Sequence, residues 1–170
     1  MSWQRFKLNV PKKLSPVQRT ALAQEVIDFI INRSKNGLDK NNKPFPGYSE
    51  NYIKSLDFKI AGKSKSKVNL TLSEEMLQSL SLISTKPGEI LIGYDKSNKD
   101  LNAKVEGNVL GTYGQKTPIK GKSRDFLGIK KDDLKDLVDK VSNKEEAKDL
   151  LNKRASLGDL ADGIEFEETD

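Results

Sequence analysis

The clearest pattern of apolar positions along the chain lies between residues 15 and 37. Its apolar residues fall on one side of a helix with about 3.6 residues per turn: Val17, Leu22, Val26, Phe29 and Ile30. Ser15 and Pro16 are typical of a helix N-cap and first helical position, and Asn36-Gly37 is typical of a helix end. The pattern therefore predicts a long first helix.

The segments on either side of this helix lack such a period. Residues 1–14 are basic, and we predict an irregular N-terminal arm in which Pro11 prevents an early helix. Residues 38–48 have the composition of a loop, and Ser49 can cap a short helix that runs through Leu56.

Strands are predicted in the middle of the chain. Residues 68–72 alternate between apolar and polar side chains, which is typical of a half-buried strand. Ser73-Glu74-Glu75 then favours the start of a short helix, with acids at its positive end. Residues 82–85 and 89–94 flank the turn Lys86-Pro87-Gly88 and predict a hairpin with Ile90 and Ile92 on one face.

The last third of the chain is predicted to be mostly helical. A helical stretch near residues 97–107 precedes a glycine-rich basic loop at 111–124, and residues 125–129 suit a final short strand. Lys131 begins a helix whose apolar positions run to Val141. We interpret Ser142-Asn143 as a break that caps a separate last helix.

This order of elements predicts an α+β fold. We expect a small, mostly antiparallel sheet packed by the long N-terminal helix, with additional C-terminal helices and extended termini. The corresponding division is a basic N-terminal arm at 1–14, a core domain at 15–141, and a C-terminal helix with an acidic tail at 142–170.

The composition argues against catalysis. The 170-residue chain has no cysteine and no histidine, which removes thiolate nucleophiles, the usual zinc ligands and the commonest acid–base residue near neutral pH. We therefore expect a non-enzymatic protein with no metal and no cofactor. The longest apolar cluster, at 26–31, is interrupted by Asp28 and is too short to span a membrane, so we expect a soluble protein with no membrane partner.

The charge is unevenly distributed along the chain. Lysine and arginine total 30 against 25 acids, for a net charge of +5. Residues 157–170 contain six acids and no base, which leaves 19 acids against 30 bases, a net charge of +11, in residues 1–156. A basic body can bind nucleic acid, although a solvated lysine-rich surface is the commoner explanation.

The loop from Gly111 to Arg124 is the most distinctive basic segment, because it contains no acid. It could contact phosphates, or it could order against an acidic partner such as the tail of a neighbouring copy. We favour the acidic partner, since the loop has few aromatic residues for base stacking. The residues that we assign to partner contact are Tyr113, Lys116, Lys120, Lys122, Arg124 and Phe126.

Several short motifs occur in a fixed order across residues 37–130. They are Pro44-Phe45 after the first helix, Tyr48 and Tyr52, the run from Leu70 to Leu80 with its Met-Leu-Gln-Ser-Leu end, Ile92-Gly93, Ala103–Gly107, Arg124–Ile129 and Asp132-Asp133-Leu134. Together they resemble the tail-completion, or head–tail joining, proteins of long-tailed bacteriophages. Many members of that family carry histidine in the segment that corresponds to Ala103–Gly107, and this chain has none.

The resemblance implies a structural virion protein that forms a homo-oligomeric ring, commonly sixfold, at the junction of tail and head. Its implied partners are tail tube, sheath or terminator proteins on one side and neck or portal-side adaptor proteins on the other, with passive contact to DNA. The implied location is the virion, after assembly in the host cytoplasm. Three alternatives stay open. They are a tail terminator or other tail component, a basic nucleic-acid-binding module, and an enzyme.

Overall fold

The computed structural model describes residues 4–65, 68–69, 74–113 and 115–159. Within these residues the chain forms six helices and three strands, and the predicted α+β class is confirmed. In chain order the elements are β1 Arg5–Asn9, α1 Pro16–Lys35, α2 Glu50–Lys54, α3 Leu56–Ile60, α4 Glu74–Gln78, β2 Ser81–Lys86, β3 Glu89–Gly93, α5 Lys99–Leu110 and α6 Lys131–Asp159.

The sheet is antiparallel and has the strand order β1-β3-β2. The predicted hairpin of β2 and β3 is confirmed, with a bulge between Leu82 and Ser84. Ile90 and Ile92 of the central strand are fully buried. They share one core with apolar residues of α1, of which Leu22, Val26 and Ile30 are also fully buried. The predicted packing of the long first helix against the sheet is therefore confirmed.

A capping box fixes the start of α1. The Ser15 hydroxyl accepts from the Gln18 amide at 3.1 Å, and the Ser15 amide donates to the Gln18 side-chain carbonyl at 2.8 Å. Two of the backbone donors that a helix start leaves without a helical partner are satisfied in this way.

The N-terminal arm was wrongly predicted to be irregular throughout. Residues 5–9 form β1, which pairs with β3 so that Phe6 lies opposite Ile92 and Leu8 opposite Ile90. Five residues of alternation give a weak local signal, and it is the exposed edge of β3 that makes the strand stable.

The short helices near the middle of the chain agree in part with the sequence. The helix after Ser49 ends at Lys54, and Ser55 caps a second short helix, α3. The short helix predicted after Ser73 is present as α4. Residues 68–69 have no regular structure, and the rest of the strand predicted at 68–72 lies outside the described residues.

The final strand predicted at residues 125–129 is wrong. This segment is irregular because side-chain and loop donors satisfy its carbonyl groups instead of a sheet. The buried Arg33 Nη2 donates to the carbonyls of Phe126 at 2.7 Å and Gly128 at 2.8 Å. The Lys40 amide donates to the Asp125 carbonyl at 2.9 Å.

The predicted break at Ser142-Asn143 is also wrong, because α6 continues through both residues to Asp159. Two residues of modest helix propensity cost about 1 kcal/mol together, which packing offsets easily. The packed residues of α6 contact the core on the α1 side: Leu134, Leu137, Val138 and Val141.

The helix α6 runs antiparallel to α1. Near its start, the Asn42 amide group beyond the end of α1 donates to Asp133 at 2.9 Å. One to two turns later, Lys140 pairs with Glu25 in the middle of α1 at 2.8 Å. Among the helices of the described ranges, none is both long and apolar enough to cross a membrane.

Candidate functional site

An open groove lies at the end of the molecule where α1 finishes. It encloses about 590 Å³ and is bounded by the loop before α2, α2 itself, α4, α5 and the basic loop. Its lining side chains are aromatic, apolar, amide or cationic: Tyr48, Ser49, Tyr52, Lys63, Asn69, Met76, Lys104, Asn108, Tyr113, Ile119, Lys122 and Arg124.

An aromatic cluster forms one wall of the groove. The ring of Tyr48 lies 5.2 Å from Tyr52 and 5.4 Å from Phe58, and Tyr52 and Phe58 are 5.5 Å apart. Tilted and edge-on rings at these distances add about 0.5–1.5 kcal/mol per pair beyond their burial. The ring contacts therefore stabilise this wall, although α2 and α3 contain only five residues each.

Arg124 lies between two tyrosine rings at the groove surface. Its guanidinium carbon is 5.1 Å from the ring centre of Tyr48 and 5.4 Å from that of Tyr113. Both distances are within the range of a cation–π attraction. Its buried Nε has no hydrogen-bond partner within the described part of the chain. A fixed positive charge thus stands at the junction of the two walls.

Two lysines are held against the groove by backbone and side-chain acceptors. Lys63 Nζ donates to Tyr48 Oη at 3.1 Å and to two oxygens of Asn69 at 3.2 Å. Lys122 Nζ donates to the Gly47 carbonyl at 2.9 Å. These acceptors are neutral oxygens, so they do not cancel the positive charge of the ammonium groups.

The basic loop is ordered by contacts to the end of α5. Gly111 has a φ of 74°, and a side chain there would collide with the backbone of Ser123, 2.9 Å away. The Arg124 amide donates to the Asn108 carbonyl at 2.7 Å, and the Tyr113 hydroxyl donates to the Lys122 carbonyl at 2.7 Å. Glycine at 111 therefore lets the two ends of the loop lie side by side.

The groove is electropositive. Within the described ranges, no acidic side chain lines it, and none of its four cations forms an ion pair with a carboxylate. Burial raises the pKa of the Tyr113 phenol, and burial together with Tyr48 raises the pKa of Tyr52. Both phenols are therefore neutral at ordinary pH, so they do not cancel the positive charge.

The residues assigned to partner contact divide into three groups. Tyr113, Lys122 and Arg124 line the groove. Lys116 and Lys120 are exposed on the same loop but do not line the groove. Phe126 was wrongly assigned to a contact surface, because its side chain is fully buried in the core.

Sequence reasoning did not assign to the site the groove residues outside the basic loop. They include Tyr48, Tyr52, Lys63, Lys104 and Asn108. The two tyrosines are separated from Tyr113 by more than sixty residues, so no local spacing could have joined them.

No grouping of three or more acidic side chains that could hold a metal ion occurs in the described ranges. Comparisons of the chain with protein-family models, with curated proteins and with solved structures each gave no match.

Proposed function

We propose that this protein is a structural subunit of a tailed bacteriophage and forms a ring at the head–tail junction. It joins the completed tail to the head by binding copies of itself and its neck and tail neighbours. It performs no chemical reaction. Tail terminator, or another tail component, is the closest variant of the proposal, because it makes the same physical demands on a ring subunit.

The observation that carries the proposal is the convergence of the family-like motifs on one surface. Tyr48 and Tyr52, Met76 of the Met-Leu-Gln-Ser-Leu turn, Lys104 of Ala103–Gly107, and Arg124 come from four separate motifs. All five line the same groove. Tyr48 and Met76 are also buried in the core, whereas Tyr52 and Arg124 are partly exposed and Lys104 is exposed. Side chains of separate motifs that meet at a surface groove suit a shared binding role.

The size and burial of the chain also support an assembly role. Large apolar side chains stay exposed, including Val17 at 67%, Leu56 at 70% and Ile60 at 75%. A ring built from head-to-tail contacts can bury such residues against the next subunit.

The direct test is a phage whose copy of this gene carries an early stop codon. We expect filled heads and free tails to accumulate, and purified protein added to the lysate should join them into infectious particles. Antibody labelling of wild-type particles should mark the neck. Normal joined particles that lack the chain would refute the proposal.

A second candidate is a single-stranded nucleic-acid-binding module. The groove favours it through four cations and three tyrosines with no acid among its described lining residues. The placement of Arg124 weakens it, because the guanidinium covers a face of both Tyr48 and Tyr113 that a base would need. Two results would favour this candidate. The protein would bind a single-stranded oligonucleotide with an affinity that falls steeply with salt, and Arg124→Gln would weaken that binding.

A further inference from the structure

We infer that the groove binds the acidic C-terminal segment of a second copy of this chain, with Phe166 among the tyrosines and the neighbouring glutamates on the cations. This inference rests on the proposed ring and names the contact that links one subunit to the next. Its three supports are the complementary charges, the side-chain pattern of the segment, and the position of the groove relative to α6.

Charge complementarity is the first support. The groove carries Lys63, Lys104, Lys122 and Arg124, and no acid lines it within the described ranges. The segment from residue 159 to residue 170 carries six acids and no base. Opposite charges of this kind steer two copies together and select the orientation of the segment.

The side-chain pattern of the segment is the second support. Residues 164–168 read Ile-Glu-Phe-Glu-Glu, so apolar and acidic side chains alternate. In an extended peptide such alternation places Phe166 on one face and Glu165 and Glu167 on the other. The groove offers both kinds of partner, because tyrosines, Met76 and Ile119 line it together with the cations.

The position of the groove is the third support, because it lies at the end of the molecule where α1 finishes. Tyr94, directly after β3, donates its hydroxyl to Met76 at 2.7 Å, and Arg33 in the last turn of α1 bonds to the segment after Arg124. The opposite end holds the hairpin turn, where Arg19 near the start of α1 approaches Thr85 at 3.4 Å.

The direction of α6 bears on which copy supplies the acidic segment. The helix starts seven residues after Arg124 and runs antiparallel to α1, away from the groove. Its 29 residues extend for about 43 Å at about 1.5 Å per residue. Phe166 follows Asp159 by seven residues, which reach at most about 25 Å when fully extended. Because this reach is shorter than the length of α6, we assign the bound segment to a second copy.

The test measures binding of a fluorescent synthetic peptide of residues 159–170 by anisotropy. The receptor is the full-length chain carrying Glu165→Gln, Phe166→Ala and Glu167→Gln, so that its own segment competes less. We expect saturable binding that weakens with salt, and a peptide with Phe166→Ala should bind at least about tenfold more weakly.

A matched pair of receptor variants locates the peptide. Lys104→Gln with Lys122→Gln removes two charges that line the groove and should weaken binding by about three- to tenfold. Lys116→Gln with Lys120→Gln removes two exposed charges outside the groove and should change the affinity less than twofold. Circular dichroism and urea unfolding of both variants verify that they remain folded.

Three results would overturn the inference: no saturable binding, equal loss in the two lysine variants, or displacement of the peptide by a single-stranded oligonucleotide that binds more tightly. The phage experiment reports separately on the proposed function. Neck labelling without peptide binding would reject only this contact, whereas peptide binding by a chain absent from particles would reject only the virion role.

Discussion

At the scale of single residues, the contacts of Arg124 limit the conformational freedom of its side chain at the groove. Its guanidinium lies between the rings of Tyr48 and Tyr113, at 5.1 and 5.4 Å from their centres. A free arginine side chain would lose rotamer freedom on binding, whereas one already held between rings loses little. The positive charge at the groove is therefore preorganised.

Arg33 joins the end of α1 to the segment that follows the basic loop. It is buried at the end of α1, and its Nη2 joins the carbonyls of Phe126 and Gly128. Burial lowers the pKa of Arg33, while the nearby Asp39, Asp133 and Asp125 oppose that shift. These two bonds place the segment between the groove and α6.

We expect Arg33→Ala to lower the free energy of unfolding by about 2–4 kcal/mol, because it removes the donor to the buried Phe126 carbonyl and the part-buried Gly128 carbonyl and opens a cavity. Urea unfolding followed by circular dichroism measures the change. Lys96→Ala, at an exposed position, is the control and should alter stability by less than about 0.5 kcal/mol. A similarly small effect of Arg33→Ala would contradict the role of these bonds.

Tyr94 makes the stability of the protein change with pH in the alkaline range. Its phenol is fully buried, and burial strongly raises its pKa above the ordinary value. In the unfolded chain the phenol loses its proton near pH ~10, whereas in the folded chain it stays protonated. The folded state then holds more protons than the unfolded state, so stability falls as the pH rises above that value.

We expect the wild-type protein to lose more stability than Tyr94→Phe when the pH is raised from about 9 to about 11. The comparison is the difference between two urea unfolding curves for each protein. Tyr94→Phe also loses the bond to the Met76 carbonyl, which lowers its stability at both pH values by about 1 kcal/mol or more and does not affect the difference. Equal losses in both proteins would show that Tyr94 does not carry the effect.

At the scale of elements, the pairing of β1 with β3 joins the N-terminal segment to the core. Leu8 of β1 is buried at 5% exposure, whereas the neighbouring Lys7 points outward and pairs with Glu89 at 3.4 Å. The two residues therefore test whether this segment belongs to the sheet.

We expect Leu8→Ala to lower the free energy of unfolding by about 2–4 kcal/mol, as for other buried leucines. Lys7→Ala should change it by less than about 1 kcal/mol, since the pair with Glu89 is at the surface. Thermal and urea unfolding measure both values. If Leu8→Ala were as mild as Lys7→Ala, the segment would be an arm, as the sequence first indicated.

The elements that could be predicted from sequence are those with local signals. Ser15 with Pro16, and the turn Lys86-Pro87-Gly88, mark their boundaries within a few residues. The strand β1 and the irregular segment at 125–129 depend on distant partners, namely β3 and Arg33. The groove is of the second kind: the basic loop supplied Tyr113, Lys122 and Arg124, but the wall opposite it comes from residues far away in the chain.

At the scale of the whole molecule, the groove lies where α1 finishes, and α6 runs away from it towards the C-terminal part of the chain. A surface at one end that accepts a segment from the other end produces head-to-tail contacts between copies. Such contacts close into a ring when the rotation between neighbours allows it, and otherwise they continue as an open filament. One repeated contact is therefore sufficient to build the proposed ring when the rotation closes.

The contact between copies can be tested directly because the chain contains no cysteine. One variant carries Glu168→Cys in the acidic segment, and a second carries Asn108→Cys in the groove. The two are mixed and oxidised, and a third variant, Lys96→Cys, replaces the groove variant as the control. The account predicts a disulfide-linked dimer of the first two variants and little with the control. Equal cross-linking to the groove variant and to the control, or none with the groove variant, would contradict it.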